Sequence, residues 1–259
     1  METHMIFETH AHYDDDAFNE DRELLLDSMN ENGIGYIVNA CASLESLKET
    51  EELTEKYPFV YGAFGIHPDD AEKMTEDTLQ EIRRLVRLPK AVAIGEIGLD
   101  YYWHKEEQEH AVQKKMFLAQ MEIAREEKMP FMIHSRDAAK DTLDIVKDCM
   151  SARMYGGIIH CFSYGKEMAR EYLNMGLYLG IGGVVTFKNA KKLKEVVEYA
   201  PLEQLVLETD SPYLSPEPNR GKRNSSLNLP YFLSSEISAT SILGLSKSNT
   251  VNTLLYECY

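Results

Sequence analysis

Eight short apolar segments recur along the chain, and each is followed by a polar loop and a longer amphipathic stretch. They read MIFET, GYIVNA, VYGAFGI, AVAIGEI, PFMIH, GGIIH, LYLGIGG and LVLETD. Segments this hydrophobic fit strands covered on both faces, as in a parallel sheet flanked by helices. Helical patterns follow near 20–33, 43–56, 75–87, 106–128, 137–150, 166–176, 189–199 and from about 229 onward. The pattern over 106–128 is the clearest, with Val112, Met116, Leu118, Ala119, Met121, Ile123 and Ala124 predicting its buried side. Gly and Ser in SILGLSKSNT divide the last helical region into two helices. Eight β/α units in roughly 250 residues predict a (β/α)8 TIM barrel. An open doubly wound sheet is the alternative, but neither GxGxxG nor a P-loop follows a strand. With no Pro/Gly/Ser-rich linker near the middle, one domain is expected over residues 1–259.

A formal charge of −16 argues against a broad electrostatic grip on nucleic acid, since Lys and Arg supply most non-specific affinity for phosphates. A polyanion must therefore bind locally, where metal ions and a few arginines reverse the field. No apolar run approaches the roughly 18 residues of a membrane span, so no membrane partner is expected. The opening METHMIFETH has neither a basic n-region nor an apolar h-region. Cys41, Cys149, Cys161 and Cys258 are scattered singly, which suits reduced thiols, and a cytoplasmic location is expected. The oligomeric state is left open.

In a barrel of this kind chemistry sits where strands end at their carboxyl side. His10 and His12 end the first strand, Glu96 the fourth, His134 the fifth, His160 the sixth and Asp210 the eighth. All are metal-ligand types. Residues i and i+2 of a strand share a side, so His10 and His12 can hold one ion between them. Four imidazoles and two carboxylates exceed the three protein ligands and one water of a catalytic zinc site. Two ions are expected, about 3.5–4 Å apart, with Glu96 the candidate bridge. The histidines favour zinc or another first-row ion, whereas magnesium prefers oxygen ligands; zinc, magnesium and manganese all remain open.

In order along the chain, THAH, GIHPDD, GEIGLDYYW, HSRDA, IIHCFSYG, LGIGGVVTFKNAK and LETDSPYLSPEPNRGKRN resemble the TatD-type metal-dependent hydrolases, a deoxyribonuclease family of amidohydrolase-like barrels. The resemblance covers nearly the whole chain from Met5. It implies one metal on His10, His12, Glu96 and Asp210, a second on Glu96, His134 and His160, and divalent-metal-dependent cleavage of DNA. Glu8 stands where the family commonly has aspartate, and residues 1–4 precede its usual start.

Water between two divalent ions loses a proton near neutral pH, and Asp210 is the candidate to accept it and orient the nucleophile. Arg136, two residues beyond His134, is placed either to meet a phosphate or to pair with Asp137. Arg220, Lys222 and Arg223 in RGKRN read as a solvated loop or a local polyanion contact. His67 ends the third strand ahead of Pro68, in a structural role or against substrate. Glu208 is a buried structural carboxylate or a partner of a ligating histidine. Tyr101, Tyr102 and Trp103 either pack over the barrel mouth or stack on bases. Cys161 reads as a small buried apolar residue. The substrate expected is DNA, single-stranded or at an end. The alternatives are a small ester, amide, lactone or phosphoester on the same metals, and a metal-binding scaffold with a vestigial site.

Overall fold

The computed structural model describes residues 5–233. The two helices expected around SILGLSKSNT, Cys258 and the first four residues lie outside them. Eight strands follow one another in chain order in the sheet: β1 (Ile6–Ala11), β2 (Ile34–Ala40), β3 (Val60–Ala63), β4 (Ala91–Asp100), β5 (Phe131–Arg136), β6 (Gly157–Ile159), β7 (Tyr178–Ile181) and β8 (Leu205–Leu207). They alternate with α1 (Arg22–Asp27), α2 (Leu44–Lys56), α3 (Glu76–Leu85), α4 (Glu107–Glu126), α5 (Ala139–Ser151), α6 (Lys166–Asn174) and α7 (Lys191–Tyr199), and α8 (Leu229–Leu233) follows β8. This is the (β/α)8 architecture that eight apolar segments predicted. Among the described residues no helix is long and apolar enough to cross a membrane.

The elements fall into two units. In the first, β7, β8, β1 and β2 lie side by side: Leu179 pairs with Leu205, an isolated bridge joins Ala11 to Ser211, and Phe7 pairs with Tyr36, all in parallel. The Thr9 hydroxyl donates to Leu207 O at 2.9 Å and ties β1 to β8 where the ladder thins. Phe18, Leu26, Met29, Ile34, Ile37, Leu179 and Val206 are buried here. In the second unit, β3, β4, β5 and β6 are parallel neighbours, with Gly62 beside Ala91, Gly98 beside His134 and Phe131 beside Gly157. Val60, Phe64, Ile94, Ile97, Phe117, Ile133 and Val146 fill its interior.

Local signals explain several boundaries. Ser43 with Ser46, and Thr75 with Thr78, form reciprocal caps that start α2 and α3. The helix expected over 20–33 is shorter: α1 ends at Asp27, a single 3-10 turn follows, and Gly33 closes it at φ 82°. The eighth strand stops at Leu207 rather than Asp210, and Asp210 sits at φ 57°, outside the extended region that a ladder requires.

The buried face of α4 also differs from the expected one. Met121, Ile123 and Ala124 are buried as expected, but Leu118 is exposed, and Val112, Met116 and Ala119 are only half-buried. Their place is taken by Phe117 and by two glutamines, Gln113 and Gln120. Each primary amide pairs with one peptide unit. Gln113 Oε1 accepts from Asp100 N–H at 3.0 Å while its Nε2 donates to Asp100 O at 3.2 Å. Gln120 does the same for Ile66, at 2.8 and 3.1 Å. A buried amide is stable only with such partners, and an apolar count along a helix cannot see them.

Gly98 lies at φ 147°, and a Cβ there would sit 1.9 Å from His134 O. Neither the conformation nor the contact tolerates a side chain. Gly98→Ala is therefore expected to destabilise the protein by about 3 kcal/mol or more, from strain and overpacking together. Urea unfolding checks it: a midpoint equal to that of the parent would contradict the packing described.

Candidate metal centre

In the first unit, β1 delivers His10, and His12 follows one residue past its end, both buried. Their Nε2 atoms are 3.0 Å apart. Asp210 Oδ1 lies 3.6 Å from His10 Nε2 and 3.4 Å from His12 Nε2. Ligands bound at about 2.0–2.2 Å to one tetrahedral ion lie about 3.3–3.6 Å from each other; the two distances to Asp210 match such edges, and the distance between the imidazoles is shorter. The backbone sets their positions: Asp210 N–H donates to His10 O at 3.1 Å, and His12 N–H donates to Ser211 O at 2.8 Å.

Beneath them lies Glu8, fully buried. Its carboxylate accepts from His10 N–H at 3.2 Å, Thr209 N–H at 2.8 Å and the Thr209 hydroxyl at 2.7 Å. Burial pushes Glu8 up to about 8 against the hydrogen bonds, which lower it. Glu8 thus clamps β1 to the segment bearing Asp210. Glu208, also fully buried, accepts from Cys161 N–H at 2.6 Å. It holds the backbone immediately after His160, and Gly180 makes room for it, since a Cβ there would lie 2.2 Å from its Oε2.

In the second unit, β4 delivers Glu96, which is only 3% exposed. Glu96 Oε1 stands 2.9 Å from His134 Nδ1, 3.3 Å from His160 Nε2 and 3.9 Å from His67 Nε2. One donor atom from each of His67, Glu96 and His134 lies within 4.8 Å of the others. His134 Nε2 meets Asp100 Oδ2 at 3.1 Å. Burial disfavours charge on His134, yet the hydrogen bonds with Asp100 and Glu96 outweigh it and raise the imidazole to about 9. Asp100 is held down to about 2: burial raises it, but the bonds from His134 and from the Trp103 and Tyr102 amides prevail. In the absence of a metal, a proton on His134 offsets the buried carboxylates. A divalent cation is the natural replacement for that charge.

His67 differs from the other imidazoles. Its Nδ1 accepts from Asp69 N–H at 3.1 Å at the start of the turn Pro68–Lys73. Burial, and then the charge on His134, lower it to about 4. A neutral ring whose Nδ1 accepts must carry its proton on Nε2, which suits donation to an oxygen rather than metal ligation.

The remaining predicted residues fall into two groups. Arg136 is exposed at the end of β5, its guanidinium 4.0 Å from the centre of the Tyr102 ring and 5.6 Å from that of Trp103. It pairs with no carboxylate among the described residues, Asp137 included. Arg220 is likewise exposed and lies 4.3 Å from the Phe187 ring centre. Arg223, by contrast, is committed to structure: it forms a two-pronged ion pair with Asp21 at 2.7 and 2.6 Å and donates to Ala17 O. Tyr101 packs on His110 and donates to Asp141, but Tyr102 and Trp103 face solvent. Asp100, Gln113, Gln120 and Asn224 escaped the sequence reading. Asp100 shares the side of β4 that carries Glu96, and that i, i+4 spacing was the available signal. Asn224 is buried and donates to Thr209 O at 2.9 Å and Tyr213 O at 2.7 Å, shaping the loop after β8.

A profile of the family described as TatD related DNase matches residues 7–254. The chain belongs to this family. An uncharacterized metal-dependent hydrolase of Bacillus subtilis (strain 168), YabD, is 43% identical over 227 residues, covering 88% of each chain. A protein of Citrobacter rodentium (strain ICC168) named 3'-5' ssDNA/RNA exonuclease TatD is 34% identical over 210 residues, covering 78% of this chain and 77% of its own. The crystal structure of YJJV, a TatD homolog from Escherichia coli k12, superposes with a TM-score of 0.87 at 26% identity, covering 98% of this chain and 97% of that one. Its likeness agrees with the (β/α)8 class, and TatD-family membership makes the chain a metal-dependent hydrolase with His, Glu and Asp clusters able to hold metal.

The titrations predict a pH dependence for the metal-stripped protein. His134 keeps its proton in the folded state up to about 9 against an ordinary 6.5, so its contribution is complete below 6.5 and lost as pH rises through 9. Glu8, protonated up to about 8 against 4.5, acts in the same direction over a lower window. The melting temperature of the metal-stripped protein should fall between about pH 6.5 and about pH 9.5. A flat or rising midpoint over that range would contradict these assignments.

Proposed function

We propose that this TatD-family hydrolase cleaves phosphodiester bonds of DNA with two divalent ions. His10, His12 and Asp210 would hold one, and Glu96, His134 and His160 the other. The observation that carries this reading is the spacing of the donor atoms: 3.0 to 3.6 Å among His10, His12 and Asp210, and 2.9 and 3.3 Å from Glu96 to His134 and His160. The name of the Citrobacter relative supports a single strand or a strand end as the substrate. Among the described residues Cys41, Cys149 and Cys161 form no disulfide, which suits a reducing cytoplasm.

Bound divalent ions would supply Lewis acidity that brings the pKa of water toward neutrality and offsets charge at a phosphoryl oxygen. Asp210 accepts the proton of the attacking water, and its backbone bond to His10 O fixes the direction from which it does so. His67 donates its Nε2 proton to a phosphoryl oxygen. Arg136 and Arg220, neither neutralised by a carboxylate among the described residues, meet the flanking phosphates with planar donor forks. Glu8 and Glu208 act on the backbone and hold the ligating segments in place.

Glu96→Ala and Asp210→Ala should each lower cleavage of a fluorescent oligonucleotide in Mg²⁺, Mn²⁺ or Zn²⁺ by roughly a thousandfold or more. Turnover that survives both changes would defeat the reading. Side-by-side rates on carboxylic esters and small phosphoesters separate it from a hydrolase of small substrates; faster turnover of those than of oligonucleotides would favour the latter.

A further inference from the structure

The loop that follows β4 ends in two exposed rings. Trp103 is 64% and Tyr102 42% exposed, and their centres lie 4.7 Å apart at an interplanar angle of 84°. Large aromatic rings in water are disfavoured unless something covers them. Two cations attend them. Arg136 lies over both rings, and Lys105 Nζ is 5.3 Å from the Tyr102 centre. Neither pairs with a carboxylate among the described residues, in a chain with 43 acidic and 27 basic side chains. Elsewhere in the same unit Arg84, Arg87 and Lys114 do find carboxylates. The patch is aromatic and cationic in a strongly acidic chain, and that combination matches the stacking face and charge of a nucleotide.

The patch is also built to hold its shape. Asp100 Oδ1 accepts from the Tyr102 and Trp103 amides at 2.8 and 3.1 Å. Tyr101 N–H donates to Arg136 O at 2.8 Å, fixing the Arg136 backbone against the same turn. The Gln113 amide secures the Asp100 peptide from below. The other oxygen of Asp100 touches His134, so the rings are anchored on the carboxylate that orients a proposed metal ligand.

We infer that Tyr102, Trp103 and Arg136 form a stacking subsite for an unpaired nucleobase of the substrate, Trp103 supplying the face and Arg136 a donor fork for the adjoining phosphate. The inference rests on the nuclease reading for its substrate and adds to it a discrimination between strands. A base in a duplex has its faces covered by its neighbours, whereas an unpaired base at an end or in a single strand offers one to Trp103.

Trp103 is the sole tryptophan of the chain, so its fluorescence reports on this site alone. Metal-loaded protein is titrated with a nuclease-resistant phosphorothioate oligothymidylate and with an abasic phosphorothioate chain of equal length. Quenching by the first and not by the second is expected; equal response to both, or none to either, overturns the subsite. On a cleavable single strand, Trp103→Ala should raise KM by about 5- to 150-fold with kcat nearly unchanged, and Trp103→Phe should recover most of the loss. An unchanged KM in Trp103→Ala overturns it as well. Cleavage that depends on Glu96 without base-dependent quenching would remove the subsite and leave the nuclease reading intact. Base-dependent quenching without cleavage of any oligonucleotide would remove the nuclease reading and leave a nucleobase site.

Discussion

A carboxylate withdrawn from water has to be compensated where it stands, and the partners found around Glu96 are imidazoles. Imidazole is a weak compensator, because near neutral pH its ordinary state is uncharged. The second unit meets the demand by keeping His134 protonated between Glu96 and Asp100, and by keeping His67 neutral beside it. In the first unit His10 Nε2 and His12 Nε2 lie 3.6 and 3.4 Å from Asp210 Oδ1. Histidine-rich surroundings of this kind are suited to a divalent cation, which replaces the proton and satisfies several donors at once.

Holding such groups close requires a scaffold that does not yield, and much of the rigidity comes from polar contacts in places where apolar packing is expected. Gln113 and Gln120 each take both hydrogen bonds of a peptide unit at the ends of strand-borne segments. Glu8 gathers three donors from two segments. Gly98 allows β4 and β5 to approach at the level of His134. Each device acts on the backbone, so the side chains proposed as ligands inherit their directions from it.

The sequence announced the eight strands because their apolarity is a property of single segments, independent of what lies opposite. The ligand types at the strand ends were legible for a similar reason: His10 and His12 converge by strand geometry alone. What escaped depended on partners distant in sequence. The buried side of α4 was misread because Gln113 and Gln120 count as polar until their peptide partners are known. Asp100 looked like a loop residue, although it grips the Tyr102 and Trp103 amides and His134 together. Arg223 looked equivalent to Arg220, and only folding shows that Asp21 has claimed it. The end of β8 was placed three residues late because nothing in LETD signals that Asp210 leaves the extended region.

Asp100 divides its two oxygens between a backbone turn and an imidazole. A side-chain change at Tyr102 or Trp103 leaves their amides on the first oxygen, whereas an insertion or deletion that shifts the turn itself would pull on Asp100 and, through its second oxygen, on His134. The identity of the exposed rings is thus free to drift, while the length of the turn that carries them is not.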